Sequence, residues 1–463
     1  MTTHEILEAK VDQLFAEWNR SDSPGAALAV TRDSEIIYKR GYGIANLEYD
    51  IPITTTTIFD IASVSKQFAA FAIATLAHDG KLSLDDNIRT YLPDVPDFGN
   101  TITIRHLLHH TSGLRDWVQS LVIAGVAMED VISFKHILKM VRHQKALNFE
   151  PGTAYSYSNT GYNLLAEIVE RVTGDSFREW TDANIFKPLA MTNTHFHDDH
   201  QMILKNRAYS YQAVENDGFK HAVNNTTALG SSSLFSTVED LAKWILNFDN
   251  TQIGEQTVIE QMLQRGVLNN GEQINYAFGL NIGDYRGLKT VGHSGSWRGF
   301  RSHLMRFPDQ KFGVVILCNL DTFNPLRLAE KVADLYLVDA LAPVEASESE
   351  KEVEPAEDTK SEPLTPEQLT EFEGDYYTEE LDTTYTIRAR EHGLVAQHIR
   401  HDDILLTYTD GHFHGDFWFF PEIHFTRDDT GQVTGFRLIG NRVRNLHFEK
   451  KEIKKHEFDN KNP

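Results

Sequence analysis

Apolar and polar positions change period along the chain, and the changes mark its elements. In GAALAVTRDSEIIYKRGYGIAN two apolar runs flank a polar turn at Arg32 to Ser34, which predicts a β-hairpin. SHLMRFPDQKFGVVILCNLD repeats the pattern much later, turning around Pro308 to Gln310. Helical periodicity lies between and before them. Leu7, Val11, Leu14 and Trp18 mark one face of an N-terminal helix, and a nearly unbroken apolar run follows Ser63. Thr160 to Thr173 carries Leu164, Ile168 and Val172 on one face, and a further helix opens at Thr237, where Thr237 and Asp240 have capping-box spacing. Strands near both ends of this region with helices between them predict an antiparallel sheet with helices packed on it, an α/β arrangement.

Beyond this region the period changes. The stretches DTTYTIRARE, GLVAQHIRH, DILLTYTDGHFHGDFWFFP, EIHFTRDDTGQVTGFRLIGN and RNLHFEKKE alternate between Gly and Asp turns, the pattern of a small all-β barrel or meander. The aromatics of HGDFWFFP read as core packing. Before this module, VEASESEKEVEPAEDTKSEP is dense in Glu, Ser and Pro and lacks aromatics, so it reads as a linker. The expected organisation is an α/β domain over 1–342, an acidic linker over 343–366 and a β-barrel over 367–463. A length of 463 residues also favours two cores over one.

A formal charge of −23 argues against nucleic acid and against an anionic membrane surface as partners. The apolar run from Phe68 to Ala77 is too short to span a bilayer. MTTHEILEAKVDQLFAEWNR lacks a basic start followed by an apolar core, so the chain as given reads as cytoplasmic, although one trimmed of a signal peptide would look the same. The single cysteine, Cys318, lies in FGVVILCNL and reads as a buried strand residue, with no intramolecular disulfide available.

Candidate chemistry begins at SVSK. Ser63 and Lys66 are three residues apart, so on a helix they fall within about 60° of each other and can touch. If Ser63 opens that helix, its N–H sits at the positive end of the dipole, and burial of Lys66 favours an uncharged amine able to take the serine proton. S-x-x-K also arises by chance as a cap plus a surface lysine. The apolar residues that follow argue for the buried version. In FEPGTAYSYSNTGYNLL, Tyr157 and Asn159 precede a helix: a phenol relays protons, and an amide donates to a carbonyl or accepts from Lys66. In VGHSGSWRGFRSHLMRF, Gly292 and Gly295 flank His293, an arrangement that lets a ligand approach the backbone. His106, His109 and His110, and the stretch from His195 to His200, have spacings open to metal, but read better as a structural helix and a solvated turn; no metal and no cofactor are expected.

Ser63-x-x-Lys66, Tyr157-x-Asn159 and His293-x-Gly295, in that order, resemble the motifs of the serine β-lactamase and penicillin-binding superfamily. The tyrosine resembles the branch of class C β-lactamases, D-alanyl-D-alanine carboxypeptidases, D-aminopeptidases and esterases. TIRHLLHHTSGL, SSSLFSTVEDLAKW and GHSGSWRGFRSHLMRFPDQKFGVVILCN are similar too, so the resemblance spans about Ser23 to Ala340. The C-terminal module is similar to the lipocalin-like barrels appended to some members. The resemblance implies that Ser63 is acylated, that Lys66 is base or proton shuttle, that Tyr157 helps deprotonate Ser63 and protonates the leaving group, and that Asn159 orients Lys66 and substrate. It implies an oxyanion hole of the N–H groups of Ser63 and Ser296, beside Gly295, and a site between the sheet and a helical subdomain. His293 stands where the family usually has lysine, which argues against β-lactamase activity and leaves Arg298 or Arg301 to supply the missing charge. A titrating His293 predicts hydrolysis falling as pH drops through about 6.5. The function expected is a serine hydrolase acting on a small ester, amide or D-amino-acid peptide. The alternatives are a β-lactamase or D-alanyl-D-alanine carboxypeptidase, and a non-catalytic binding module. The expected partner is a small-molecule or peptide substrate, with homo-oligomerisation left open.

Overall fold

The computed structural model describes residues 3–215, 218–343, 364–391 and 393–451. It resolves into two compact units. The linker expected over 343–366 falls almost wholly on 344–363, outside the described residues.

The first unit comprises Met1–Leu114, Met128–Arg142 and Phe149–Glu350. Its centre is a six-stranded antiparallel sheet of β1 (Ala26–Arg32), β2 (Glu35–Tyr42), β3 (Asn281–Tyr285), β4 (Leu288–Trp297), β5 (Phe300–Phe307) and β6 (Phe312–Cys318), in the order β3-β4-β5-β6-β1-β2. Both predicted hairpins are present: β1 and β2 join at Asp33 and Ser34, and β5 and β6 flank a turn of 3₁₀ helix at Pro308–Gln310. The two hairpins meet where β1 pairs with β6, Ala26 opposite Cys318 and Arg32 opposite Phe312.

Both faces of this central pair are covered, which is why AALAVTR and FGVVILC are apolar almost without alternation. Leu28, Val30, Val314 and Ile316 join Val11 and Phe15 near α1 (Thr3–Leu14) and Leu328 and Val332 of α5 (Pro325–Tyr336) in one buried cluster. On the opposite face a Cβ at Gly313 would meet Ile245 of α4 (Val238–Asn250) at 2.8 Å, so the missing side chain lets α4 approach the sheet. Helix α1 ends at Leu14, and Trp18 lies past it, packed at a tilt against Phe323 with ring centroids 4.1 Å apart. Thr237 caps α4 by accepting from the Asp240 N–H; the Asp240 carboxylate turns instead to the Asn193 N–H, Thr194 and Lys243. Two further helices carry the site, α2 (Lys66–His78) and α3 (Asn159–Thr173), the latter capped by Ser158 and closed by Gly174 at φ 82°.

The second unit comprises Arg115–Ala127, His143–Asn148 and Lys351–Pro463. Eight antiparallel strands close a barrel: β7 (Gly374–Thr378), β8 (Thr383–Arg390), β9 (Gly393–Gln397), β10 (Ile404–Thr409), β11 (His412–Gly415), β12 (Glu422–Arg427), β13 (Val433–Leu438) and β14 (Leu446–Lys450). Closure comes from β7, which pairs with β8 and, through Tyr376 and Tyr377, with β14. Tyr376, Tyr385, Ile387, Phe413, Ile423, Phe436 and Phe448 are buried at alternate positions, the period expected of strands with one inner and one outer face. Of the aromatic run in HGDFWFFP, Phe419 and Phe420 are buried, whereas Trp418 is 61% exposed.

The two earlier segments belong to this unit through buried polar contacts. Arg115 ion-pairs with Glu380 and donates to the carbonyls of Arg444 and Asn445. Gln119 donates to the Phe419 carbonyl, and Tyr385 donates its hydroxyl to the Ile123 carbonyl at 2.9 Å. Among the described residues no helix is long and apolar enough to cross a membrane.

Candidate active site

Ser63 does not open α2. It lies inside a 3₁₀ turn, Ala62–Ser65, and the α-helix begins at Lys66. Ala62, immediately before it, has φ 48°, a left-handed conformation that costs a non-glycine residue about 1 kcal/mol. The elbow is held from three sides. Asp60 accepts from the Ala62 N–H at 2.8 Å and from Asn224 at 2.8 Å, Ser302 donates to the Ile61 carbonyl at 2.7 Å, and Asn224 in turn accepts from the Trp297 indole at the end of β4. Burial raises the Asp60 carboxyl to about 6 against these donors.

Lys66 is fully buried. Its Nζ lies 3.0 Å from Ser63 Oγ, 2.8 Å from Asn159 Oδ1 and 2.7 Å from the Ser231 carbonyl oxygen. Two of these partners are carbonyl oxygens, which only accept. A charged ammonium donates to all three partners; an uncharged amine would give its two N–H bonds to the carbonyls and turn its lone pair to the Ser63 hydroxyl. The Tyr157 ring covers the amine, its centroid 4.8 Å from Nζ, and Tyr162 lies behind at 5.6 Å. Asn159 is the first residue of α3 and Tyr157 lies in the approach to it, so one short segment brings both to Lys66.

His293 sits on β4, buried, behind Tyr157, the ring centroids 6.2 Å apart. Its Nδ1 is 2.6 Å from the Ser294 carbonyl and its Nε2 is 3.0 Å from the Tyr276 hydroxyl. A carbonyl accepts only, so Nδ1 carries the proton and Tyr276 donates to Nε2. Burial, reinforced by the nearby charge of Lys66, lowers His293 to about 3. The rate loss expected near pH 6.5 is therefore not a property of His293 in the folded chain.

The glycines of this motif make room for the chain. A Cβ at Gly295 would lie 2.3 Å from the Ile61 carbonyl oxygen, 2.2 Å from Ser302 Oγ and 3.1 Å from the Ser63 nitrogen; one at Gly292 would strike the Leu304 carbonyl at 2.1 Å. Gly295 thus lets β4 press against the Ser63 elbow. Ser296, next in line, is exposed and faces Arg301 across the β4–β5 ladder.

Arg298 and Arg301 are engaged elsewhere. Arg298 ion-pairs with Glu129 and donates to the Val223 carbonyl at 3.0 Å. Arg301 donates to the Arg298 and Phe300 carbonyls at 2.8 Å.

Several residues at the site escaped the sequence reading. Tyr276, Ser231, Asp60 and the left-handed Ala62 carry no motif of their own. Gly279 at φ 68° would strike the Lys66–Gln67 backbone at 2.7 Å if it bore a Cβ. The histidines set aside as metal ligands have separate partners. His106 accepts from the Thr103 N–H in a capping box, His109 meets the Gln264 carbonyl, and His110 accepts from the Ser158 N–H. His195 and His197 hydrogen-bond to each other at 3.3 Å; His195 lies on a two-residue strand, His195–Phe196, where a solvated turn was expected.

A family model described as Beta-lactamase matches residues 7–338. The D-aminopeptidase of Gluconobacter oxydans (strain 621H) is 30% identical over 337 residues, 72% of this chain and 62% of that protein. A D-aminopeptidase of Brucella ovis is 29% identical over 298 residues, 64% of this chain and 57% of that one. The chain therefore spans less than two thirds of these relatives' length. Among solved structures, the octameric penicillin-binding protein homologue from Pyrococcus abyssi has a TM-score of 0.65 at 24% identity, covering 97% of this chain and 100% of its own. A D-amino acid amidase from Ochrobactrum anthropi SV3, complexed with L-phenylalanine amide, has a TM-score of 0.62 at 22% identity, covering 72% and 99%. These structural likenesses establish the fold.

Proposed function

The chain belongs to the β-lactamase family of serine hydrolases, and from that premise we propose that it cleaves a small amide, ester or D-amino-acid peptide through an acyl-enzyme on Ser63. The observation that carries this reading is the placement of Lys66 Nζ, held by two carbonyl acceptors with its third direction on Ser63 Oγ at 3.0 Å. Ser63 Oγ attacks the substrate carbonyl carbon while its proton passes to the uncharged Lys66 amine. The negative oxygen that forms is met by the N–H groups of Ser63 and Ser296, and the approach of β4 to the Ser63 elbow at Gly295 favours that pairing. As the carbonyl–leaving-group bond breaks, Tyr157 gives its proton to the departing amine or alkoxide and is reprotonated from Lys66. Water then attacks the ester on Ser63 by the same path in reverse, releasing acid and free serine.

The D-aminopeptidase relatives favour a D-amino-acid amide or peptide over a β-lactam. A buried imidazole kept neutral at His293 favours it too, because it supplies no positive charge for a substrate carboxylate. The test is a panel of D- and L-amino-acid anilides, short-chain nitrophenyl esters and nitrocefin, each with wild type and Ser63→Ala, together with fluorophosphonate labelling located by mass spectrometry. We expect label on Ser63, turnover of D-anilides or esters, and loss on the order of 10³-fold or more in Ser63→Ala. Turnover that survives Ser63→Ala, or label on another residue, overturns the reading; efficient nitrocefin turnover replaces it with the β-lactamase alternative.

A further inference from the structure

We propose that the outer face of the barrel carries a binding site for a divalent transition-metal cation of the zinc class, with His412, Glu422 and His424 as ligands. Strands β11 and β12 pair antiparallel with Phe413 opposite Ile423 and His414 opposite Glu422. The same register sets His412 opposite His424. Phe413 and Ile423 point into the core, so the alternate residues on these strands face outward, where a solvated strand face would let each side chain turn separately to water.

They converge instead. The His412 and His424 rings are stacked, centroids 3.5 Å apart with 2° between their planes, and the Glu422 carboxylate bonds His424 Nε2. One ligand atom from each of the three lies within 4.8 Å of the other two. Ligands at zinc bonding distance, about 2.0–2.2 Å from the ion, stand up to roughly 4 Å apart, and an imidazole lone pair lies in its ring plane, so closure requires the two parallel rings to turn out of their stack toward a common point.

The donor set selects the ion. Two imidazole nitrogens and one carboxylate suit zinc, cobalt, nickel or copper, whereas calcium and magnesium prefer all-oxygen shells. Three protein ligands leave a coordination position to water, and binding weaker than in a closed four-ligand site is expected. A hydrogen bond from His424 to Glu422 accounts for that pair alone and leaves the stacked His412 without a role. Nothing in the sequence spacing marks the site, because a barrel register and not a short motif unites positions 412, 422 and 424.

The test uses the full chain, untagged and stripped with chelator, titrated with Co²⁺ by visible absorption and with Zn²⁺ against a chromophoric chelator. We expect one equivalent of Co²⁺ with the bands of a low-coordinate site. Affinity should fall by about tenfold or more in each of His412→Ala, His424→Ala and Glu422→Gln, and stay unchanged in His447→Ala, a surface histidine two strands away. Stoichiometric binding that survives the triple variant, or no binding at micromolar metal, overturns the proposal. Histidine modification of the intact wild type by diethylpyrocarbonate, read by mass spectrometry, needs no variant to fold: Zn²⁺ should protect His412 and His424, and unchanged reactivity of both overturns the proposal as well. Neither readout depends on Ser63 chemistry, so failure here leaves the proposed hydrolase function untouched.

Discussion

The Ser294 carbonyl fixes one tautomer of His293, and Tyr276 completes it, so the imidazole acts as a neutral strut behind Tyr157. Tyr276→Phe removes the only hydroxyl in that contact and leaves a buried ring nitrogen without its donor, costing about 1–3 kcal/mol of stability. We expect kcat to fall about tenfold with KM little changed, because the loss is of Tyr157's backing and not of a substrate contact. With His293 lowered to about 3, the wild-type kcat/KM profile should show no acid limb between pH 5 and 8 that disappears in His293→Gln. Such a limb would show that the imidazole titrates in the working range. At this scale the sequence marked Ser63, Lys66, Tyr157 and Asn159, because each pair lies within one turn or one extended step. It did not mark Tyr276, Ser231 or Asp60, whose part is set by distant segments folding back onto Lys66 and Ala62.

Elements were legible where their partners are local. The two hairpins, α3 and the alternating barrel strands follow from period and turn residues alone. The order β3-β4-β5-β6-β1-β2 does not, since the β1–β6 pairing joins the two ends of the unit and rests on a run of apolar residues with no alternation to set its register. Two-residue strands such as Phe59–Asp60 and His195–Phe196 are too short to carry any period. Strand β4 carries two glycines whose missing side chains make room for the backbone of Ile61 and Leu304. Gly295→Ala should therefore displace the Ser63 elbow. Because a backbone carbonyl cannot swing aside as a side chain does, we expect activity to drop by about 10²-fold or more, with a melting temperature several degrees below wild type. An active, equally stable Gly295→Ala would show that β4 has slack at this point.

For the whole molecule, burial of uncharged histidines makes stability depend on pH. His109, His195, His197 and His303 are lowered to about 4 and His293 to about 3, in each case chiefly by burial. Between these values and the unfolded value near 6.5 the unfolded chain binds more protons, so their contribution is complete above about pH 6.5 and is lost as pH falls toward 4. Asp60, raised to about 6, works oppositely over its narrower window, since there the folded chain binds the extra proton. The lowered histidines, joined by His106, His221 and His398, outnumber the raised carboxyls Asp60, Glu170 and Glu330 among the described residues. Urea midpoints should decline from pH 7 to pH 5, and a constant midpoint would contradict the burial. In the barrel unit, Arg115→Met removes the cation paired with the buried Glu380 and should cost about 3–5 kcal/mol in chemical denaturation, most of it recovered when Glu380→Leu is added. That ion pair also sets a schedule for synthesis. Its partners stand 265 residues apart, so at about 5–20 residues per second the guanidinium leaves the ribosome roughly a quarter of a minute to a minute before its carboxylate. Over that interval Arg115–Ala127 waits for the barrel strands that bury it, and the later strands through Lys450 follow after the carboxylate.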